Sequence, residues 1–256
     1  MIRGIYTAGS GMLAESLRTD VTANNLANAD TAGYKKDVAV TKDFQSLLIR
    51  RINDGQDQPT IGSLGTGVMV DEVATIQTTG SMHPTGNDLD VAIEGNGFFA
   101  VQTPNGVRYT RNGSFSLSAQ GDLVTKDGYT VLGTGGPINL ADAKQVSIAE
   151  DGRVMIKEDL QSSAGDTEAG TLQVVSFADE KQLVKEGNSL YRANPGAQQA
   201  PANVPVRGRT LEQSNVNVVS EMVNMITGYR AYEFNAKVVQ SHDELLDKAV
   251  NEVGKL

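Results

Sequence analysis

The chain contains no cysteine and no tryptophan in 256 residues, with six phenylalanines and seven tyrosines. The lack of cysteine excludes disulfides, thiolate catalysis and Cys-based zinc or iron–sulfur sites, and it leaves the redox compartment open. Hydrophobic residues make up 39% and aromatics 5%, on the low side for one large self-contained core. Positive charge is also short. The formal net charge is −9 and no basic stripe offsets it, so no nucleic-acid partner is expected, because phosphate affinity needs clustered Lys and Arg. Such a charge instead keeps an unassembled chain soluble. No run of eighteen apolar residues exists, so no membrane insertion is expected. Met1 to Ala14 is broken by Gly4, Gly9, Ser10 and Gly11, so no cleaved signal peptide is expected. The two histidines, His83 and His242, have no neighbouring cysteine or second histidine to complete a nucleophilic or metal constellation. No catalytic, cofactor-binding or metal site is therefore expected, and no enzyme activity.

What the chain does have is a long helical repeat at its C-terminal end. Stepping alternately four and three residues gives Val218, Met222, Met225, Tyr229, Tyr232, Ala236, Val239, Asp243, Leu246, Val250 and Val253. All but Asp243 are apolar or aromatic. A repeat of 3.5 residues keeps one narrow seam facing a partner as helices supercoil, so the spacing predicts a coiled-coil element. Asp243 either faces solvent near a local shift of the seam or sets its register. The first twenty-seven residues repeat the design more weakly through Ile2, Ile5, Gly9, Met12, Ser16, Thr19, Ala23 and Leu26, with Leu13 and Leu17 widening the stripe. At ~1.5 Å per residue the first helix is about 40 Å long and the second, from about Val216 to Val253, about 57 Å. If they pair within one chain, roughly 17 Å of seam stays uncovered, which calls for another subunit.

Between the helices lies strand grammar. A short strand is expected at Val38 to Thr41, then a brief apolar segment around Phe44, Leu47 and Leu48. A loop or linker is expected over Asn53 to Gly67, which holds Gly55, Pro59, Gly62, Gly65 and Gly67, and alternation resumes at Val68, Val70, Val73 and Ile76. From Leu89 onward, turn pairs follow at Asn105-Gly106, Asn112-Gly113, Gly121-Asp122, Asp127-Gly128 and Asp151-Gly152. Asn-Gly and Asp-Gly supply the positive φ angles of hairpin turns. A further strand is expected from Thr171 to Phe177, before a proline-bearing exit at Asn194 to Pro205.

The expected fold class is therefore α+β: long N- and C-terminal helices forming a coiled-coil-like core element, around a central all-β domain of short hairpin-linked strands. The expected parts are an N-terminal axial helix at 1–32, a connecting strand and linker region at 33–80, the β-domain at 81–206, and the C-terminal helix at 207–256. Termini often lie close together, so the two helices can leave the β-domain side by side, with 207–256 packing on 1–32.

Two motifs carry a tempting chemistry. Gly95-Asn96-Gly97-Phe98-Phe99-Ala100 has the glycine spacing of a dinucleotide-binding turn, but that use needs a helix to open there. Phe99 to Gln102 alternates and Pro104-Asn105-Gly106 turns the chain, so a hairpin is expected. Asn112-Gly113-Ser114 is formally a glycosylation sequon and is expected first to be a hairpin turn between Tyr109–Arg111 and Phe115–Leu117.

The block Ala23 to Lys35, with Asn24, Asn25, Asn28 and Gly33, sits where the first helix should end. Asn tolerates the left-handed region and Gly33 suits a helix stop, so a cap-and-turn role is available on local grounds. As a string, however, ANNLANADTAGYK resembles the N-terminal signature of the flagellar rod and hook proteins, the axial components of the bacterial flagellum. The opening IYTAGSGM at Ile5–Met12, DVAIEGNGFF at Asp90–Phe99, YTRNGSF at Tyr109–Phe115, LEQSNVN at Leu211–Asn217, EMVNMI at Glu221–Ile226 and RAYE at Arg230–Glu233 resemble the same family in the same order. The length and the linker Ile61 to Val68 are most similar to its basal-body rod members of the FlgG and FlgF type; a hook protein would carry a larger outer region.

The resemblance implies a structural subunit of the basal-body rod, self-assembling into the helical shaft that carries torque from motor to hook. It implies an open, heterologous homo-oligomer, neighbouring rod and hook subunits, and no cofactor. It further implies passage through the flagellar export apparatus without signal cleavage and a location in the cell envelope. Terminal segments 1–30 and 215–256 are expected to exchange amide protons fast in the free chain and 90–180 slowly, since an unpaired seam does not offset backbone ordering. The expected assembly interface is Ile5, Met12 and Leu26 with Val218, Met222, Met225, Tyr229, Tyr232, Val239 and Leu246. The alternative is a coiled-coil-oligomerised β-domain that binds a cell-wall or carbohydrate ligand. Sugar sites favour exposed aromatic platforms, and here Trp is absent and the Phe and Tyr of the β region fall mostly at positions expected to be buried.

Overall fold

The computed structural model describes residues 2–44, 47–50, 60–141, 143–157, 167–202 and 204–253. The chain is α+β, with a helix at each end and a sheet-rich region between. It divides into two compact units: residues 1–27, 37–76 and 217–256 form the first, and 28–36 and 77–216 the second.

The first unit holds α1 (Ile2–Ala27), α2 (Val218–Lys248) and a β-ribbon. Asn217 caps α2, its side chain accepting the Ser220 N–H at 3.0 Å, and Glu221 in the first turn complements the helix dipole. A single turn of π-helix, Ala249–Val253, prolongs α2. The ribbon pairs Asp37–Asp43 antiparallel with Val68–Thr75, with a bulge between Val40 and Thr41. Leu47–Arg50 pairs antiparallel with Thr60–Leu64. The second pairing corrects part of the expected linker: Thr60 to Leu64 is strand, because it finds partners in an apolar segment upstream, while Gly65 to Gly67 has no regular structure, as expected. The remainder, 53–59, lies outside the described residues.

The second unit centres on Phe98–Thr103. Along one edge this strand pairs with Gly106–Thr110, which continues to Leu190–Ala193 and Leu183–Gly187. Its other edge is shared, with Val101 and Gln102 facing Thr130–Gly133 and Phe98 and Phe99 facing Val174–Phe177. Leu123–Thr125 and Phe115–Leu117 complete the path, and Gln145–Ile148, Arg153–Lys157 and Thr167–Thr171 form a separate three-stranded sheet. Because side chains alternate along a strand, Phe99 and Val101 enter one apolar cluster with Phe115, Leu123 and Val131. Phe98 and Ala100 enter another with Tyr109, Phe177 and Tyr191. Edge-to-face ring pairs organise both clusters: Phe99 with Phe115 at 5.2 Å and Tyr109 with Phe177 at 4.9 Å. A low aromatic content suffices because the rings are concentrated on two faces of one strand.

Four of the five turn pairs join paired strands, at Asn105-Gly106, Gly121-Asp122, Asp127-Gly128 and Asp151-Gly152. Asn112-Gly113 does not. Its flanking strands pair elsewhere, and Gly113 instead packs against Val91, whose N–H donates to the Gly113 carbonyl at 3.0 Å. The strand expected from Thr171 to Phe177 is also interrupted, at Leu172 and Gln173, where the chain leaves one sheet for another. After Gly97 comes a strand, as expected, and no helix opens there.

A Cβ at Gly113 would lie 1.7 Å from the Val91 carbonyl oxygen, whereas one at Gly135 would meet nothing within 4 Å. Gly113→Ala should therefore cost about 1–3 kcal/mol by overpacking. Thermal denaturation should show a Tm lowered by roughly 2–10 °C, with Gly135→Ala near the parent.

Candidate assembly interface

α1 and α2 run antiparallel within the first unit, and their contacts recur every seven residues. A Cβ at Gly4 would lie 2.5 Å from His242 Nε2, one at Gly11 2.9 Å from Asn235 Nδ2, and one at Gly228 3.1 Å from Thr19 Oγ1 and 3.3 Å from Glu15 Oε2. Glycine on one helix thus faces a polar side chain on the other, and the missing Cβ lets the backbones approach. Ala8 and Thr22 on α1, with Glu221 on α2, are buried in the same unit. Asn25 serves the ribbon: its amide donates to the Asp37 carbonyl at 2.8 Å and accepts the Asp37 N–H at 2.9 Å, as a strand partner would.

This contact consumes small and polar residues and leaves apolar ones outward. On α2, Val219 is 73% exposed and Tyr229 60%, with Met222, Val223 and Ile226 also exposed. By helical rotation of 100° per residue, Val219, Val223 and Ile226 lie opposite the side that carries Gly228 and Asn235, with Met222 and Tyr229 on the flank between. On α1, Tyr6 is 72% exposed and Leu13 76%, with Leu17 beside them. Of the residues expected at the interface, Val218, Met222, Tyr229 and Tyr232 are exposed in the single chain. Ile5, Met12, Leu26, Met225, Val239 and Leu246 are half-buried. The structure thus spreads them over more than one face.

The signature block divides. Asn24 and Asn25 belong to the last turns of α1, while Asn28 and Gly33 belong to the second unit. There Asn28 accepts the Thr31 N–H at 3.2 Å, and Gly33 takes φ +67° with its N–H on the Glu212 carbonyl at 2.8 Å. A Cβ at Gly33 would lie 2.4 Å from the Arg111 carbonyl carbon, so both conformation and space demand glycine. In the same unit Lys35, Arg111 and Glu212 form a fully buried ion cluster, which hydrophobic and turn patterns in the sequence do not reveal. Lys35 Nζ donates to Glu212 Oε1 at 2.5 Å and to the Thr78 carbonyl at 2.8 Å. Arg111 reaches Glu212 Oε2 at 3.3 Å and the Gly95 carbonyl at 2.7 Å, its guanidinium lying 5.2 Å over the Phe98 ring. The Gly80 N–H adds a bond to Glu212 Oε1 at 2.8 Å. Asn215 closes the clasp, accepting the Lys36 N–H at 2.7 Å and donating to Thr78. Its members come from the quoted strings, Gly33 and Lys35 from the first, Arg111 from YTRNGSF, and Glu212 and Asn215 from LEQSNVN.

Burial pushes the Lys35 ammonium below the ordinary lysine range, opposed by Glu212, and burial likewise lowers Arg111. Folding thus gains stability as pH rises from the folded Lys35 value toward about 10.5, since the unfolded chain then holds a proton the folded one has released. Glu212→Gln removes the counter-charge of two buried cations and should destabilise by about 3–5 kcal/mol at pH 7. It also depresses Lys35 further, so the deficit should shrink as urea denaturation is repeated toward pH 10.

Comparison with known proteins places these features. Residues 5–35 match the family "Flagella basal body rod protein", residues 92–156 "Flagellar hook protein FlgE/F/G D1 domain", and residues 207–252 "Flagellar basal body rod FlgEFG protein C-terminal". The chain is 37% identical to the flagellar basal-body rod protein FlgG of Bacillus subtilis, over 98% of this chain and 99% of the relative. It is 35% identical to FlgG of Agrobacterium fabrum, over 95% and 97%. It is 34% identical to the flagellar hook-basal body complex protein FlhO of Bacillus subtilis, over the full length of both. The helix pair, the clasp formed by the signature strings and these full-length similarities together establish that the chain belongs to the flagellar basal-body rod protein family.

Proposed function

We propose that this chain, a structural subunit of the flagellar basal-body rod, builds a shaft by packing the outward apolar faces of its helices against further copies of itself. The observation that carries this is the inversion on α2: glycine and polar residues turn toward α1, and Val219, Val223 and Ile226 turn away, with Met222 and Tyr229 on the flank. A face of that kind is a cost to a free subunit and a gain once another helix covers it. The helix pair acts as a coiled-coil-like core element, its contacts spaced by heptads, and the subunits join head to tail in an open helical homopolymer that transmits torque. Neighbouring rod and hook subunits cap the ends of the stack. Delivery runs through the flagellar export apparatus without signal cleavage, into the envelope layer that the rod crosses. The interface comprises the exposed Val218, Met222, Tyr229 and Tyr232, with Ile5, Met12, Leu26, Met225, Val239 and Leu246 setting the helix pair beneath them. A carbohydrate-binding module finds no support in the aromatics, whose largest buried members line the two apolar clusters.

Met222→Asp tests the outward face. The side chain is exposed in the single chain, so the variant should fold with unchanged circular dichroism and Tm. In an assembled rod it buries an unpaired carboxylate at a penalty of several kcal/mol, so rods should fail to form and cells should be non-motile. Normal rods built from Met222→Asp chains would contradict the assignment.

A further inference from the structure

Lys35 carries an amine that the fold seals from water, with the residue 0% exposed. It shares the Glu212 carboxylate with Arg111, so two cations face one anion in a water-free site and one positive charge is in surplus. A guanidinium keeps its proton in proteins, whereas a buried ammonium releases one readily. The surplus is therefore relieved at Lys35, whose proton affinity burial lowers in the same direction. No reagent from solution reaches a neutral amine held there, so its reaction partner has to come from the chain.

An electrophile stands beside it. The Asn215 amide nitrogen donates to the Thr78 carbonyl at 3.2 Å and to the Thr78 hydroxyl at 3.1 Å. Lys35 Nζ donates to that same carbonyl at 2.8 Å, so amine and carboxamide converge on one oxygen. The segments that carry them run together, the Asn215 N–H donating to the Tyr34 carbonyl at 3.4 Å. Asn215 Oδ1 accepts the Lys36 N–H at 2.7 Å, a bond that polarises the Asn215 carbonyl and stabilises negative charge formed on it. Glu212 Oε1, 2.5 Å from Lys35 Nζ, is placed to take a proton from the amine as it attacks. Nucleophile, base and carbonyl polariser are all present within the clasp.

We propose that Lys35 and Asn215 join in an isopeptide bond once the chain has folded. Neutral Lys35 Nζ adds to Asn215 Cγ, forming the N–C bond and placing negative charge on Oδ1 against the Lys36 N–H. Glu212 takes a proton from Nζ and returns it to Nδ2. The Cγ–Nδ2 bond breaks as the carbonyl re-forms, and the amide nitrogen leaves as ammonia past the half-buried Asn215. No oxidant or cofactor enters, and Glu212 ends as the carboxylate it began as. The ion cluster is the state before this step. Titration of Lys35 belongs to that state, so the pH dependence expected of Glu212→Gln is read in an Asn215→Ala background.

Lys35 and Asn215 each stand one residue from a point where the chain passes to the first unit. Tension between those two points would run through the bond and bypass the sheets between them. Under the proposed rod role, a subunit that transmits torque would thereby keep its β-rich unit folded under load; only this benefit, and not the chemistry, rests on that role.

Rods isolated from source cells and the purified full chain are both read by mass spectrometry after denaturation. The chain should weigh about 17 Da less than its sequence, the mass of one ammonia. Trypsin should release residues 19–36, uncut after Lys35, covalently joined to 210–230, with fragmentation placing the link at Lys35 and Asn215. Lys35→Arg and Asn215→Ala should each restore the mass of their own sequence and separate the two peptides. Among folded chains, Glu212→Gln should slow linking by about 10²–10⁴-fold. A folded parent chain of full sequence mass overturns the proposal and leaves the rod role untouched. So does a loss of about 17 Da without the joined peptides, as an imide at Asn105-Gly106 would give, and so does a link at Glu212, which removes about 18 Da as water.

Discussion

Close approach of α1 to α2 is the constraint on which the other features of the first unit depend. Gly4, Gly11 and Gly228 each stand opposite a polar side chain, and the gap a Cβ would fill is already occupied by His242, Asn235, or Thr19 with Glu15. A helix pair held in this way gains little from the hydrophobic effect, which scales with apolar area removed from water. The consequence is an uneven distribution. Apolar side chains that another fold would spend on its own core remain at Val219, Met222, Ile226 and Tyr229 on one helix and at Tyr6 and Leu13 on the other. In the proposed rod, assembly is the step that buries them.

The second unit solves a different problem, that of closing a β-rich body whose chain enters and leaves it more than once. Residues 33–36, 78–80 and 211–215 are distant in sequence and are tied by Lys35, Glu212, Arg111 and Asn215. Buried ions are costly unless their bonds are complete, and Glu212 has both oxygens engaged. Gly33 contributes what no other residue can there, a left-handed backbone pressed against Arg111. The strings at the two ends of the chain are therefore parts of one site, although 177 positions separate Lys35 from Glu212.

Much of this was legible in the sequence, and the gaps have physical causes. The helices at both ends and the hairpins after Leu89 followed from periodicity and turn chemistry, both of which are local. The face that α2 turns to α1 was not legible. A 3.5-residue repeat through Met225, Tyr232, Val239 and Leu246 can be joined either by Met222 and Tyr229 or by Gly228, Asn235 and His242. Hydrophobic pattern favours the first set, while the glycines of α1 select the second. Thr60 to Leu64 read as a loop because its glycine and small polar residues carry no strand signal, and pairing with Leu47–Arg50 decided the matter. Asn112-Gly113 looked like a hairpin turn for the reason that makes the other four so, and differs because Gly113 is needed where Val91 crosses it. The pairing within the clasp was not legible, since its charges meet across long separations and each alone looks like a solvated surface residue.

Electron cryotomography of source cells lacking this gene is the decisive measurement of the rod role. Motors should keep the membrane ring, with a missing or shortened rod and no hook, the length of any stump locating the subunit along the rod. Complete rods carrying hooks in those cells would contradict it.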